Sequence, residues 1–167
     1  TRDVLTKKGK NIRLENYKLE EEIDKLGKVD KVLTRGQLAL VQVVKEPIST
    51  KGPRLSCDIS IAGRFLVLVP FLNGVNISKK ITSKAERNRL QKLMSSIKPK
   101  NFGVIVRTVA EGKAVEEMER DLRDSISKWE EGMKKLAEAK PTDRVIGEMA
   151  LKIRLVHTHV FQREIGR

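Results

Sequence analysis

Two five-residue runs, Phe65-Leu66-Val67-Leu68-Val69 and Phe102-Gly103-Val104-Ile105-Val106, constrain this chain more than any other feature. The first is apolar on both faces of a strand, so it must be buried between layers, and the second is a matching apolar strand. Between them, Ser83-Lys84-Ala85-Glu86 has the spacing of a capping box. Leu90, Leu93, Met94 and Ile97 follow at helical intervals until Pro99. Beyond Gly112 a long amphipathic stretch carries Val115, Met118, Leu122, Ile126, Trp129, Met133 and Leu136, and Pro141 ends it. Trp129 lies in register with the other six, which predicts it inside the core with Leu122, Ile126 and Met133 rather than stacked on a ligand. The fold class is α+β, a small mixed β-sheet packed by helices.

The flanks read less uniformly. Leu38 to Val44 is strand-like, and Pro47 with Ser49–Pro53 breaks it with a basic turn. Residues 55–61 alternate, with Leu55, Cys57, Ile59 and Ile61 on one face, which predicts a half-buried strand. Ala62-Gly63-Arg64 makes a tight turn, and Asn73-Gly74 is a hairpin signal before Val75–Ile81. Upstream, residues 1–10 form a polar, basic arm. Asn11 then opens a helix on the narrow stripe Ile12, Leu19, Ile23 and Leu26, closed by Gly27. Downstream, Thr142-Asp143 caps a last helix through Val145, Ile146 and Met149. The opening residue is Thr1 rather than Met, as expected of a piece cut from something longer.

Charge supplies the functional signal. Lys and Arg number 35 against 22 Asp and Glu, a net charge of +13. The excess is concentrated: residues 61–110 hold ten basic side chains and a single acid, Glu86. A basic face of that kind points to a polyanion, RNA or DNA. Aromatic residues are 4% of the chain, too few for an extended stacking platform, so recognition should rest on phosphates and a few stacking or backbone contacts. No run approaches 18 apolar residues, which excludes a membrane span by a single helix, and the N-terminus does not read as a signal peptide. The single cysteine, Cys57, excludes an internal disulfide framework or a cysteine-rich zinc site.

Several residues are candidates for chemistry. Arg107-Thr108 closes an apolar strand, where a guanidinium fork and a hydroxyl suit a phosphate; the alternative is a surface Arg capping a strand end. Gly112-Lys113 resembles the end of a phosphate loop but fails, because Ala114 stands where a hydroxyl is needed and Arg107 where a glycine is. His157 and His159 share one strand face without a recognisable third ligand and are read as ordinary histidines. Asp121 and Asp124, one turn apart amid mixed charge, are read as a solvated face. Lys51-Gly52-Pro53-Arg54 and Lys79-Lys80 are backbone-phosphate contacts if nucleic acid binds. No nucleophile, base and metal ligands form a set, so catalytic and metal residues are none.

The segments Val43–Leu55, Ile59–Pro70 and Phe102–Lys113, with Leu122 to Trp129 after them, resemble the ribonuclease E/G family, the ribonuclease G type most. The resemblance runs over roughly residues 36–140. It implies an OB-fold RNA-binding domain of the ribosomal-protein S-one class, of which residues 36–57 are the last part, and a 5′-sensor-like domain over residues 58–140. Residues 1–35 are then a basic arm and helical insertion, and residues 141–167 a divergent helix and tail. By position, Arg107 and Thr108 would grip the 5′-monophosphate of an RNA, Gly63 and Val67 would touch the terminal nucleotide, and Lys51, Lys79 and Lys80 would line the RNA path.

The resemblance further implies a cytoplasmic, homo-oligomeric parent that cleaves single-stranded RNA in RNA processing and decay, with Mg²⁺ held in a catalytic domain outside this fragment. The fragment itself is expected to sense and not to cut, and to need no cofactor. The alternative reading is a stand-alone RNA-binding module that modulates another nuclease or the ribosome.

Overall fold

The structure, a computed structural model, describes Leu14, Gly36, residues 38–148 and residues 151–157. In chain order the strands are β1 (Leu38–Lys45), β2 (Arg54–Ser56), β3 (Ile61–Ala62), β4 (Leu66–Pro70) and β5 (Gly74–Ile77). Helix α1 (Lys84–Ile97), β6 (Phe102–Val106), a 3₁₀ turn (Thr108–Ala110) and α2 (Val115–Glu138) follow. The last strands are β7 (Arg144–Glu148) and β8 (Leu151–His157). The chain is α+β, as the patterning requires. Apart from Leu14, the arm and the helix expected before Gly36 fall outside the described residues, as do Met149 and His159.

The chain forms two compact units. Among the described residues, one contains Gly36 and residues 38–58, 132–148 and 151–157, the other Leu14 and residues 59–131. In the first, four antiparallel strands lie in the order β2-β1-β8-β7. Ala39 and Val41 are its buried centre, with Leu55 packed against them. The helix expected after Thr142-Asp143 is not formed: residues 144–148 are β7. Val145 and Ile146 are adjacent β-branched residues, which favour a pleated surface over a helical turn. β8 then pairs with β1 from Leu38↔His157 to Gln42↔Ile153 and satisfies backbone groups that a helix would have left open. Gly132 of α2 has no room for a Cβ, which would collide with the Ile146 side chain.

The second unit holds a mixed sheet in the order β3-β4-β6-β5. β6 is central, antiparallel to β4 and parallel to β5. Leu66, Leu68, Val104 and Val106 are at most 1% exposed, but Val67 and Val69 are half-buried and Ile105 is 41% exposed, so the runs bury one face fully and the expected burial on both faces is not complete. Asn73-Gly74 therefore does not close a hairpin: β6 is inserted between β4 and β5. Asn73 instead accepts a hydrogen bond from the Asn101 amide at 3.1 Å and ties together the turns that flank β4 and β6. The continuous strand expected over residues 55–61 is also broken. β2 and β3 belong to different units, and Cys57 between them is exposed rather than core-facing. The alternation is real, but its two halves face two different cores.

α1 is capped as the sequence requires, with the Ser83 hydroxyl accepting from the Glu86 amide at 3.3 Å, and it lies against β5. α2 buries Met118, Leu122, Ser125 and Trp129 on one stripe. The Trp129 ring meets Phe71 and Phe102 edge-on, with centroids 5.5 and 6.4 Å apart. No helix among the described residues is long and apolar enough to cross a membrane.

Candidate nucleic-acid interface

Strand direction gathers the basic residues. Because β4 runs antiparallel to β6 and β5 parallel to it, the start of β4 and the ends of β5 and β6 share one end of the sheet. That end carries Gly63-Arg64-Phe65 ahead of β4, Arg107-Thr108 after β6, and Ser78-Lys79-Lys80 after β5. An opening of about 500 Å³ lies there, lined by Arg64, Phe65, Arg107, Val109 and Lys113. The lining has three cations and no carboxylate.

The Gly63–Leu66 turn is held from α2. The Asp121 carboxylate accepts from the backbone amides of Arg64 (2.8 Å), Phe65 (2.8 Å) and Leu66 (3.0 Å). This corrects the reading of Asp121 as part of a solvated face: its carboxylate oxygens are committed to three backbone amides. It also explains Gly63, where a Cβ would lie 2.6 Å from both Asp121 oxygens. The turn in turn fixes Arg107, whose Nη1 donates to the Gly63 carbonyl at 2.9 Å and the Arg64 carbonyl at 3.1 Å. With Nη1 occupied, Nε and Nη2 form the edge available to a ligand.

The other wall is held from α1. Glu86 accepts two bonds from Arg89, each 2.7 Å, and one from the Gly112 amide at 2.9 Å. Arg89 also donates to the Lys113 carbonyl at 3.2 Å. Only one half of the expected capping box is thus made, because the Glu86 side chain turns away from Ser83 to grip the 111–113 turn. Gly112 adopts φ +69°, a left-handed conformation that glycine takes without strain.

The Arg89 hydrogen bonds and then the Gly112 amide pull the Glu86 carboxyl from its ordinary 4.5 down to about 2. A lowered carboxyl stabilises the fold above its unfolded pKa, and that contribution fades as the pH falls through the folded value. The melting temperature of the wild type should therefore drop more steeply on acidification from pH 5 to 3 than that of Glu86→Gln. Parallel curves over that range would exclude this role for Glu86.

The remaining expected residues are distributed as follows. Thr108 is exposed and opens the 3₁₀ turn beside Arg107. Val67 is half-buried, opposite Ala62 and Ile105. Lys79 and Lys80 are exposed on a turn pinned by Arg87, whose Nη1 donates to the Ser78 and Ile81 carbonyls at 2.8 and 3.1 Å. Lys51 belongs to the other unit, where its backbone exchanges two hydrogen bonds with Ile48. Sequence reasoning did not single out Arg64, Asp121 or the Glu86–Arg89 pair for the site. The one available signal was that Glu86 is the sole acid in a fifty-residue basic stretch. Among the described residues, no three His, Cys, Asp or Glu side chains come together to hold a metal ion.

The sequence is similar to ribonucleases of two related kinds. Ribonuclease E of Nostoc sp. is 48% identical over 102 residues, which are 61% of this chain and 15% of that protein. Ribonuclease E of Synechocystis sp. is 43% identical over 104 residues. Ribonuclease G of Salmonella typhimurium is 34% identical over 128 residues, 77% of this chain and 26% of that protein. The chain thus spans 15% to 26% of the length of these curated relatives. The model of the ribonuclease E/G family matches residues 60–166, so the match extends through β7 and β8 and residues 141–166 are not divergent from the family. A match over that much of the sequence makes this chain a member of the ribonuclease E/G family.

Proposed function

We propose that this chain binds single-stranded RNA and reads its 5′-monophosphate end at the Arg107 pocket, as part of an endoribonuclease acting in RNA processing and decay. The observation that carries the reading is the opening lined by Arg64, Arg107 and Lys113 without a carboxylate, with Arg107 already oriented by two backbone carbonyls. A terminal phosphate carries about −1.5 to −2 charges near neutral pH and a 5′-hydroxyl none. Arg107 and the Thr108 hydroxyl would take the phosphate, and Gly63 and Val67 would lie against the terminal nucleotide. Lys79 and Lys80 would contact the RNA backbone beyond the pocket, and Lys51 would contact RNA within the first unit, which we read as OB-fold-like. Strand cleavage, in this reading, is the work of a Mg²⁺-dependent nuclease part of a cytoplasmic, homo-oligomeric parent.

Equilibrium binding of 5′-monophosphorylated and 5′-hydroxyl RNAs of one sequence tests the proposal. A preference for the monophosphate supports it, and equal affinity would leave the stand-alone RNA-binding module. Salt dependence tests the wider basic face. With about four phosphate contacts at roughly 0.7 each, log K should fall against log salt with a slope near −3. Lys79→Ala with Lys80→Ala should flatten that slope and leave the 5′-end preference unchanged; a wild-type slope of zero would contradict the basic-face argument.

A further inference from the structure

We propose that Lys113 is a second phosphate-binding cation of the Arg107 pocket, and that the Glu86–Arg89 pair is the positioning device that holds it there. The inference rests on the reading that this pocket takes a terminal phosphate, and it adds a ligand that neither the strand-end argument nor the resemblance assigned. Lys113 was set aside in the sequence because Gly112-Lys113-Ala114 cannot serve a metal-bound nucleotide. A metal-free phosphate pocket needs no hydroxyl at position 114, only a point charge, which a lysine supplies.

The geometry places that charge. The Lys113 ammonium lies 6.0 Å from the centroid of the Phe65 ring, and the Arg64 guanidinium lies 5.0 Å from the same centroid. Both line the opening with Arg107. Among the described residues the one salt bridge is Arg89–Glu86, so none of the three lining cations is neutralised by a carboxylate. The acids tied to these walls are already engaged: Asp121 by three backbone amides, Glu86 by Arg89 and the Gly112 amide, and Glu117 by the Ala114 amide at 3.3 Å. Three like charges held around one opening repel one another until an anion enters.

Their placement is built rather than incidental. Glu86 holds the Gly112 amide, Arg89 holds the Lys113 carbonyl, and the Lys113 amide donates to the Ala110 carbonyl at 3.2 Å. The backbone is therefore fixed on both sides of the residue, with the left-handed Gly112 making the bend. The sole acid among residues 61–110 thus serves to position a base.

The test uses the whole 167-residue chain and a single-stranded ten-nucleotide RNA bearing either a 5′-monophosphate or a 5′-hydroxyl. The wild-type ratio of the two affinities is read first, and a ratio of one removes the underlying reading. Given a preference, Lys113→Met should cut the ratio about 3- to 10-fold, as befits a partly solvated charge-assisted contact. Hydroxyl-RNA affinity and melting temperature should stay unchanged, and Lys113→Arg should restore most of the ratio. Glu86→Ala should lower the ratio as well, and combining it with Lys113→Met should bring no further loss. Glu86→Gln replaces it if the alanine variant does not fold. An unchanged ratio in Lys113→Met overturns the assignment, as does an equal loss for both RNAs, which would make Lys113 a general backbone contact. Losses that multiply in the double variant overturn the positioning role of Glu86.

Discussion

Replacing Arg107 by alanine should bring 5′-monophosphorylated and 5′-hydroxyl RNA to similar affinity while sparing the salt-dependent background. The guanidinium is anchored through Nη1 to the Gly63 and Arg64 carbonyls, so its remaining edge is presented in one orientation before any ligand arrives. Preorganisation of this kind reduces the ordering cost of binding. Charge-assisted bonds to a phosphate are worth about 1.5–3 kcal/mol each, so the phosphate should contribute roughly 10- to 100-fold in affinity. Alanine removes the fork, and the two carbonyls it leaves lie at an exposed turn where water replaces the lost donor. The fold should therefore be nearly unaffected. Arg107→Lys should recover only part of the preference, because an ammonium cannot make the planar two-point contact. A monophosphate preference that survives Arg107→Ala would place the phosphate pocket elsewhere.

How much of this was legible depended on whether the determinant was local. The runs that became β4 and β6, the Ser83 cap of α1 and the Trp129 stripe of α2 are written in consecutive or turn-spaced residues, and they were readable. The Asp121 clamp joins residues more than fifty positions apart, and nothing near Asp121 in sequence distinguishes it from Asp124. Only once α2 is packed beside the Gly63–Leu66 turn does one carboxylate face three amides while its neighbour meets solvent. The same limit explains β7 and β8. Val145-Ile146 after a cap was compatible with either state; β7 pairs with β8, and β8 in turn pairs with β1, a hundred residues earlier, which builds the sheet that decides the matter. Asn73-Gly74 misled for a related reason: a two-residue hairpin signal cannot report that a third strand will be inserted between the two it joins. The position of Arg107-Thr108 at a strand end was legible because a strand end is a local feature, whereas the Gly63–Arg64 turn that holds Arg107, itself held by Asp121, was not.

Trp129→Ala should be the most destabilising single change in the second unit, while the folded fraction keeps its 5′-end preference. The indole is 2% exposed and meets Phe71 and Phe102 edge-on, so its removal loses both burial and two aromatic contacts. Truncating a buried Trp to Ala typically costs about 3–5 kcal/mol, a large share of the stability of a domain this size. Trp129→Phe should recover part of it. The binding site should be spared because of where those rings stand. Phe71 follows β4 and Phe102 opens β6, at the Pro70↔Phe102 end of the pair, whereas Gly63 and Arg107 flank the Leu66↔Val106 end. Four residue steps at roughly 3.3 Å each put the two ends about 13 Å apart. Chemical denaturation of wild type and variant measures the stability loss, and binding at a temperature where the variant is folded measures the preference. The single tryptophan gives a second readout: its emission should be blue-shifted and insensitive to RNA. A red-shifted emission quenched by RNA would make Trp129 a base-stacking residue, and loss of 5′ discrimination in fully folded Trp129→Ala would show that the aromatic end of the sheet is coupled to the phosphate end.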